Sequence, residues 1–334
     1  MSEMPLVTVV TPFYNTADYL PECIESVLTQ TYEHFEYILL NNRSTDDSLA
    51  IAEQYAQQDP RIRVITNRDF LEQDMNFSEG LRQASATSRY CKMVLADDWL
   101  FPRCIEQLVA VAEAHPTAGL VGSYYLKGTT LMGGGLPYPS PLVDGRRLCR
   151  LHLLEGLFVF GSPTVLLLRT DVVRRHHPFY DPRTYHADTE ACYRTLTQCD
   201  FGFVHQVLSF LRTDNPSRMA RVRDFGPSYL DKLIVITKYG RDYLSPEEFD
   251  RVSRRQRHAY FQVLGDGVLS GRPKAFWDYH RDGLATIGIR LSWHMPRLWL
   301  YTLLALADAV LNPLKTALRI RGALRKRKPR GPAR

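Results

Sequence analysis

The sequence has no Cys-x-x-Cys pair, and its six cysteines, at 23, 91, 104, 149, 192 and 199, follow no regular spacing. That excludes the common zinc frameworks and a disulfide-stapled scaffold, and it points to a reducing compartment. Neither a Gly-x-Gly-x-x-Gly turn nor a Gly-x-x-x-x-Gly-Lys-Ser/Thr loop occurs, which weakens dinucleotide-dependent and P-loop chemistry. The nearly apolar stretch Leu298–Ala307 stops at Asp308 and is cut by Pro313. It falls short of the roughly 20 residues a bilayer span needs. Acidic residues are missing from Asn312 to Arg334, a segment with nine basic ones, so the net charge of +6 leaves 6 − 9 = −3 for residues 1–311. The basicity is a tail, and a nucleic-acid groove across the fold is not implied. No secretory signal is expected, because the chain enters a strand at Leu6-Val7-Thr8-Val9-Val10.

What is present is a regular alternation. With 334 residues the chain can bury a real core, as one large domain or two. Short β-branched runs at Val7–Thr11, Tyr37–Leu40, Arg63–Ile65, Lys92–Leu95 and Leu120–Ser123 are separated by helical patterns. Leu20, Ile24, Val27 and Leu28 share one helical face, as do Leu49, Ala52 and Ala56, and then Ile105, Leu108, Val109 and Ala112. This predicts an α/β fold of right-handed βαβ units on a mostly parallel sheet. After residue 124 the rhythm breaks at Gly133-Gly134-Gly135 and Pro137, Pro139 and Pro141; a strand follows at Thr164–Leu168, and residues 228–290 read as helical.

The chemistry-bearing residues cluster at strand ends. Asp97-Asp98 close the apolar run Met93-Val94-Leu95. Adjacent carboxylates at a sheet's carboxyl edge repel unless a cation joins them, and Mg²⁺ uses one or two carboxylates plus substrate phosphates. Read without further context, they could equally cap the helix starting near Pro102. Strand one ends in Thr11-Pro12-Phe13-Tyr14-Asn15, where Tyr14 could stack on a nucleobase or simply pack. Strand two ends in Asn41-Asn42-Arg43-Ser44-Thr45-Asp46-Asp47. The asparagines suit ligand contact there, and the later residues suit a helix cap.

In this order and spacing the motifs resemble the family 2 glycosyltransferases, inverting enzymes of the GT-A fold that use nucleotide-sugars. The likeness is carried by Val7–Asn15, Gln30-Thr31-Tyr32, Asn41–Asp47, Ala96–Pro102 and His186–Arg194, within about residues 5–215. It implies a Rossmann-like, mostly parallel sheet flanked by helices, followed by a C-terminal helical extension. The divisions it suggests are 1–124 for the nucleotide-sugar-binding half, 125–220 for the acceptor-binding half, 221–295 for the helical extension, and 296–334 for an amphipathic helix and basic tail. By the same resemblance Pro12, Tyr14 and Asn42 contact the base with Asn41 in support, and Asn76 stands at a further donor position. Asp97 contacts ribose or supports its neighbour from behind, Asp98 ligates Mg²⁺ or Mn²⁺, and Arg212 faces the diphosphate. Asp188 is the general base for inversion, with His186 as rival; taken alone, Asp188 also reads as a helix N-cap. Gly161-Ser162-Pro163 is expected to line the acceptor side. Asparagines at 41 and 42 replace the usual aspartates, and an arginine is missing beside Asn76. Uracil is the expected base, with thymine next.

The expected activity is transfer of a sugar from a nucleotide-sugar donor to a hydroxyl of a glycan or lipid-linked oligosaccharide. A non-catalytic nucleotide-sugar-binding scaffold and a nucleotidyltransferase are the rivals. Trp293, Trp299, Tyr301 and the basic tail suit a helix lying on an anionic membrane surface, or else a core helix with a solvated tail. The expected location is cytoplasmic, at the inner face of the cell membrane, with no nucleic-acid partner.

Overall fold

The computed structural model describes residues 4–184, 186–213, 223–292 and 294–311. The chain begins with β1 (Val7–Phe13), α1 (Leu20–Leu28), β2 (Phe35–Asn41), α2 (Ser48–Gln58), β3 (Ile62–Thr66), α3 (Gln73–Arg82) and β4 (Tyr90–Met93). It continues through β5 (Trp99–Leu100), α4 (Cys104–Ala114), β6 (Ala118–Lys127), β7 (Thr130–Met132), β8 (Leu142–Val143) and α5 (Gly145–Glu155). A 3₁₀ turn at Pro163–Val165 leads to β9 (Leu167–Arg169), α6 (Thr170–Arg174), α7 (Ala187–Thr195) and β10 (Asp200–Leu211). Four helices follow: α8 (Pro227–Tyr243), α9 (Pro246–Leu269), α10 (Lys274–Ala285) and α11 (Pro296–Leu311).

One sheet runs in the order β3-β2-β1-β4-β9-β6-β10-β5, with β7 paired to β6 and β8 to β10. The first four strands in that order are mutually parallel. β9 lies antiparallel to β4 and to β6, and β6 and β10 are again parallel to each other. All seven residues of β1 are buried, as a central strand covered on both faces requires. Helix α1 forms because Leu20, Cys23, Ile24 and Val27 make one buried stripe, with Pro21 in the first turn where its missing N–H costs nothing. These residues join Val7, Val9, Tyr37, Leu39, Ile105 and Leu108 in the main core.

The expected strands occur, with two shifts that matter for the site. β4 ends at Met93, so Leu95 belongs to a turn whose carbonyl accepts the Asp98 N–H at 2.9 Å. Thr164, expected in a strand, lies in the 3₁₀ turn, and the strand proper starts at Leu167. Pro163 favours that outcome, since it removes a ladder donor just before the strand.

Two compact units divide the chain: Met1–Arg221 with Lys238–Phe249, and Val222–Thr237 with Asp250–Arg334. The position 124/125 falls inside β6, a continuous strand. The second unit is helical and packs around Leu233, Tyr260, Leu264, Phe276, Leu284 and Leu298. Gly265 lets α11 approach closely, because a Cβ there would sit 2.7 Å from the Tyr301 carbonyl carbon. Within this unit His280 is buried. Its Nδ1 accepts from the Tyr260 hydroxyl at 2.9 Å and its Nε2 donates to the Phe225 carbonyl at 3.0 Å, and burial pushes its pKa down to about 4. All six cysteines are unpaired, five buried and Cys199 half-buried.

Candidate active site

The carboxyl ends of β1, β2 and β3 are tied to one another. Asn42 N–H donates to the Phe13 carbonyl at 2.9 Å and Asn67 N–H to the Asn41 carbonyl at 2.9 Å. Beyond them Asn15 and Arg43 adopt φ values of +50° and +65°, a region costly for side chains other than those that bond locally. Asn15 is held there by such bonds: its Oδ1 accepts from Thr45 N–H at 2.8 Å, and its own N–H donates to Ser44 Oγ at 3.1 Å. The N-cap of α2 is Asp47, whose side chain makes no cap bond; Asp46, one residue earlier, accepts from Ser48 N–H through its Oδ1 at 3.0 Å. Pro12 is buried in β1, as are Thr11 and Phe13, and the first exposed residue beyond the strand is Tyr14. Tyr14 is 44% exposed and meets Phe70, 54% exposed, edge to face with centroids 4.9 Å apart. Phe70 was not foreseen; it sits on the segment after β3, outside any periodic pattern.

The asparagines behave differently from expectation. Asn41 Oδ1 accepts from Ser44 N–H at 2.9 Å, and its amide donates to Thr66 Oγ1 at 3.3 Å. Asn42 Oδ1 accepts from Leu71 N–H and from Asn67 Nδ2, both at 2.9 Å, while Asn42 Nδ2 donates to the Leu71 carbonyl at 2.8 Å. Asn67 Nδ2 also donates to Asn76 Oδ1 at 2.7 Å. In this structure Asn41, Asn42 and Asn76 are therefore turned inward and serve the loops instead of an open cleft. An amide carries both donor and acceptor, so Asn42 can satisfy both backbone groups of Leu71 and fix the segment bearing Phe70. An aspartate could satisfy only one.

At the end of β4 the acid pair divides its roles. Asp98 is 4% exposed. Its Oδ2 accepts from Thr164 Oγ1 at 2.6 Å and its Oδ1 from Arg212 N–H at 3.1 Å. Burial, and then the charge of Asp97, raise its pKa to about 7, against the opposing pull of those two hydrogen bonds and of Lys92. Asp97 is half-buried beside it. Arg212 was expected to face the diphosphate. Instead its guanidinium bonds Glu22 Oε2 at 2.5 Å and the Asp97 carbonyl at 3.1 Å, over the rings of Tyr19 and Trp99. To a carboxylate of the acid pair it donates from its backbone N–H, to Asp98 Oδ1.

Asp188 lies in the first turn of α7, whose N-cap is His186. Asp188 is thus not the cap; its Oδ1 accepts from Thr189 N–H at 2.7 Å. The helix is anchored by buried Glu190, which accepts from Lys238 Nζ and Tyr239 Oη, each at 2.9 Å, and from Thr184 Oγ1. The Tyr125 phenol is raised to about 12 by burial and then by the charge of Asp188. Tyr125 also packs with Val165 and Leu211, the chain neighbours of the two residues that hold Asp98. Tyr125 thus lies near Asp188 and beside the chain neighbours of the residues that bond Asp98. Beside it Gly161 has φ +67°, and a Cβ there would lie 2.5 Å from Val165 Cγ2. The buried Ser162 hydroxyl has no hydrogen-bond partner among the described residues.

Among the described residues no group of three or more His, Cys, Asp or Glu is arranged to hold a metal ion. A donor-site Mg²⁺ or Mn²⁺ needs fewer, because substrate phosphates and water complete its shell. Each Asp98 oxygen accepts one hydrogen bond and retains lone-pair capacity, and burial and then the charge of Asp97 raise the carboxyl, a strain that a cation would relieve. The acid pair fits a divalent cation.

Comparison with known proteins decides the family. The sequence profile of glycosyl transferase family 2 matches residues 8–174, from β1 through α6. The chain belongs to glycosyl transferase family 2. This family 2 chain is 36% identical to the glycosyltransferase GlyG of Streptococcus pneumoniae over 127 residues, which cover 37% of this chain and 40% of GlyG. It is 32% identical to EpsE of Bacillus subtilis over 157 residues, covering 45% and 55% of the two chains. Its fold is similar to that of Staphylococcus aureus TarS 1–349 in complex with UDP-GlcNAc, with TM-score 0.60 and 15% identity over 85% of this chain and 80% of that one. The mannosyltransferase PcManGT of Pyrobaculum calidifontis, in complex with GDP-Man and Mn²⁺, matches with TM-score 0.55 and 16% identity over 96% and 85%. The α/β sheet with helices at the C-terminus is thus a GT-A architecture.

Proposed function

We propose that this chain transfers a sugar, a hexose, from a nucleoside-diphosphate donor to a hydroxyl of a glycan or lipid-linked oligosaccharide, with inversion. UDP is the preferred nucleotide and dTDP the next. The observation that carries this reading is the placement of an undercharged buried acid, Asp98, at the same sheet edge as the exposed Tyr14–Phe70 pair. Ligands of open α/β sheets bind at that edge. The UDP-GlcNAc in the TarS complex and the GDP-Man with Mn²⁺ in the PcManGT complex support the donor class and the metal.

Tyr14 offers the face of its ring to the base, and Phe70 braces it from the side. Asp98, with Asp97 beside it, would hold Mg²⁺ or Mn²⁺, whose charge when bound offsets that of the departing nucleoside diphosphate. Asp188 takes the proton from the acceptor hydroxyl as that oxygen attacks the anomeric carbon in line. Holding both substrates in one orientation removes much of the entropic barrier.

Helix α11 supports a membrane-surface partner and a role in polysaccharide assembly at the inner face of the cell membrane. Leu298 and Thr302 face the core, while Trp299, Leu300, Leu303, Leu304, Leu306, Val310 and Leu311 are exposed. No helix among the described residues is long and apolar enough to cross a membrane. The basic tail lies outside the described residues.

The test incubates the full chain with UDP-, dTDP- and GDP-sugars and Mg²⁺ or Mn²⁺ and measures nucleotide release. Asp188→Ala and Asp98→Ala should each reduce release at least 100-fold. Equal release from wild type and both variants refutes catalysis at this site, and binding without turnover in all three would establish the scaffold reading.

A further inference from the structure

Lys92 is fully buried in the middle of β4, between β1 and β9. Among the described residues it makes no ion pair. Buried Cys104 lies near its amine, in an interior where a hydrocarbon would fill the same space without the desolvation that an amine suffers. What the amine holds is specific. Its Nζ donates to the Thr164 carbonyl and, at 3.3 Å, to the Leu166 carbonyl, the two acceptors that bracket Val165 at the end of the 3₁₀ turn. The hydroxyl of the same Thr164 accepts from Leu95 N–H at 3.1 Å and donates to Asp98 Oδ2 at 2.6 Å. One residue thus carries both contacts, its backbone held by Lys92 and its side chain holding the acid. Charged or neutral, a lysine amine has at least two N–H groups, one for each carbonyl.

We propose that Lys92 is a positioning residue for the donor site: it pins the 3₁₀ turn at Thr164 so that the Thr164 hydroxyl fixes the Asp98 carboxylate. The proposal rests on the reading of Asp98 as the acid of a metal-dependent donor site. Lys92 touches no substrate and does its work through Thr164. Replacement by a similarly shaped apolar residue frees the two carbonyls, loosens the turn and lets Asp98 leave its orientation. The aromatic base site is anchored separately, by the asparagines after β2 and β3, and is untouched.

The test compares Lys92→Met, Thr164→Val and the double variant in the full chain. Lys92→Met should raise the Mn²⁺ concentration for half-maximal UDP release about tenfold or more, while UDP affinity measured by calorimetry in EDTA stays within twofold. General loosening of the fold would weaken both. Thr164→Val should show the same split, and the double variant should be no worse than the poorer single one, because residues acting in series are not additive. An unchanged Mn²⁺ requirement in Lys92→Met, or losses that multiply in the double variant, overturns the proposal. Should Lys92→Met fail to fold, Lys92→Gln takes its place and must show the same split. If the wild-type chain releases no nucleotide from any donor, the functional reading fails, and a crystal structure of the Lys92 variant still decides: an Asp98 carboxylate kept on Thr164 overturns the positioning role.

Discussion

Replacing Asp98 by asparagine should make the metal-free protein more stable while abolishing turnover. In the folded chain burial, and then the charge of Asp97, push this carboxyl up from 3.8 to about 7. The raised value means the folded state holds its proton more tightly than the unfolded state does. Below pH 4 both states are protonated and Asp98 costs nothing; as pH rises through 7 the folded chain must carry a buried, poorly compensated charge. Roughly three pH units at about 1.36 kcal/mol each give a penalty of about 4 kcal/mol above pH 7. Asparagine keeps Oδ1 for the Arg212 N–H but turns an amide toward the Thr164 hydroxyl, losing about 1 kcal/mol. The variant should then gain about 3 kcal/mol at pH 8 in EDTA, roughly 6–10 °C in Tm, and be about 1 kcal/mol less stable than the wild type at pH 4. Thermal or urea unfolding across pH 4–8 measures this directly. A variant that is less stable at pH 8, or whose advantage does not grow between pH 4 and 7, would refute the picture of Asp98 as an undercharged buried acid.

Tyr14→Ala should weaken UDP binding by about 10- to 100-fold in calorimetry, since stacking on a base contributes about 1–3 kcal/mol. Phe70→Ala should cost roughly 2- to 10-fold through lost support of the Tyr14 ring, and unchanged affinity in both variants removes this edge as the base site. His280, ordinarily near 6.5 and here near 4, supplies stability that is intact above pH 6.5 and lost as pH falls through 4, amounting to about 3 kcal/mol. Far-UV circular dichroism melts at pH 7.5, 5.5 and 4.0 should show that slope in the wild type and not in His280→Gln; an identical slope in both assigns the acid lability elsewhere. Leu300→Asp with Leu304→Asp should reduce sedimentation with anionic liposomes at least tenfold, and full binding by that variant would exclude the outer face of α11 as the membrane contact.

The strand–helix alternation and the acid pair were legible because both are local, whereas the antiparallel β9 between β4 and β6 was not. Burial on both faces gives a central strand such as β1 its mostly apolar, uncharged sequence, and Asp97-Asp98 announce themselves as two charges after such a run. Contacts between residues far apart in the chain were not legible. Arg212 matched a pattern by position, yet its guanidinium finds Glu22, 190 residues away. Asn42 stood where a ligand contact was reasonable, but Asn67 and Leu71 complete its hydrogen bonds, and nothing in the spacing of three asparagines signals one network. Thr164 read as a strand residue from its β-branched neighbours. The preceding proline and the turn it enters gave its hydroxyl a different task. For Asp188 the helix position was right and the capping reading was not, because boundaries move by a residue or two where caps compete.

The six cysteines carry a practical consequence. Each thiol is pushed upward chiefly by burial, to about 12 at Cys23 and Cys149 and about 11 at Cys91 and Cys199, and upward also at Cys104 and Cys192. Thiolate is the reactive form, so at neutral pH this protein presents almost none to an alkylating reagent or to peroxide. A single cysteine introduced on the surface, for instance at exposed Tyr138, would be the first to react. The chain is already a nearly silent background for spectroscopic labels.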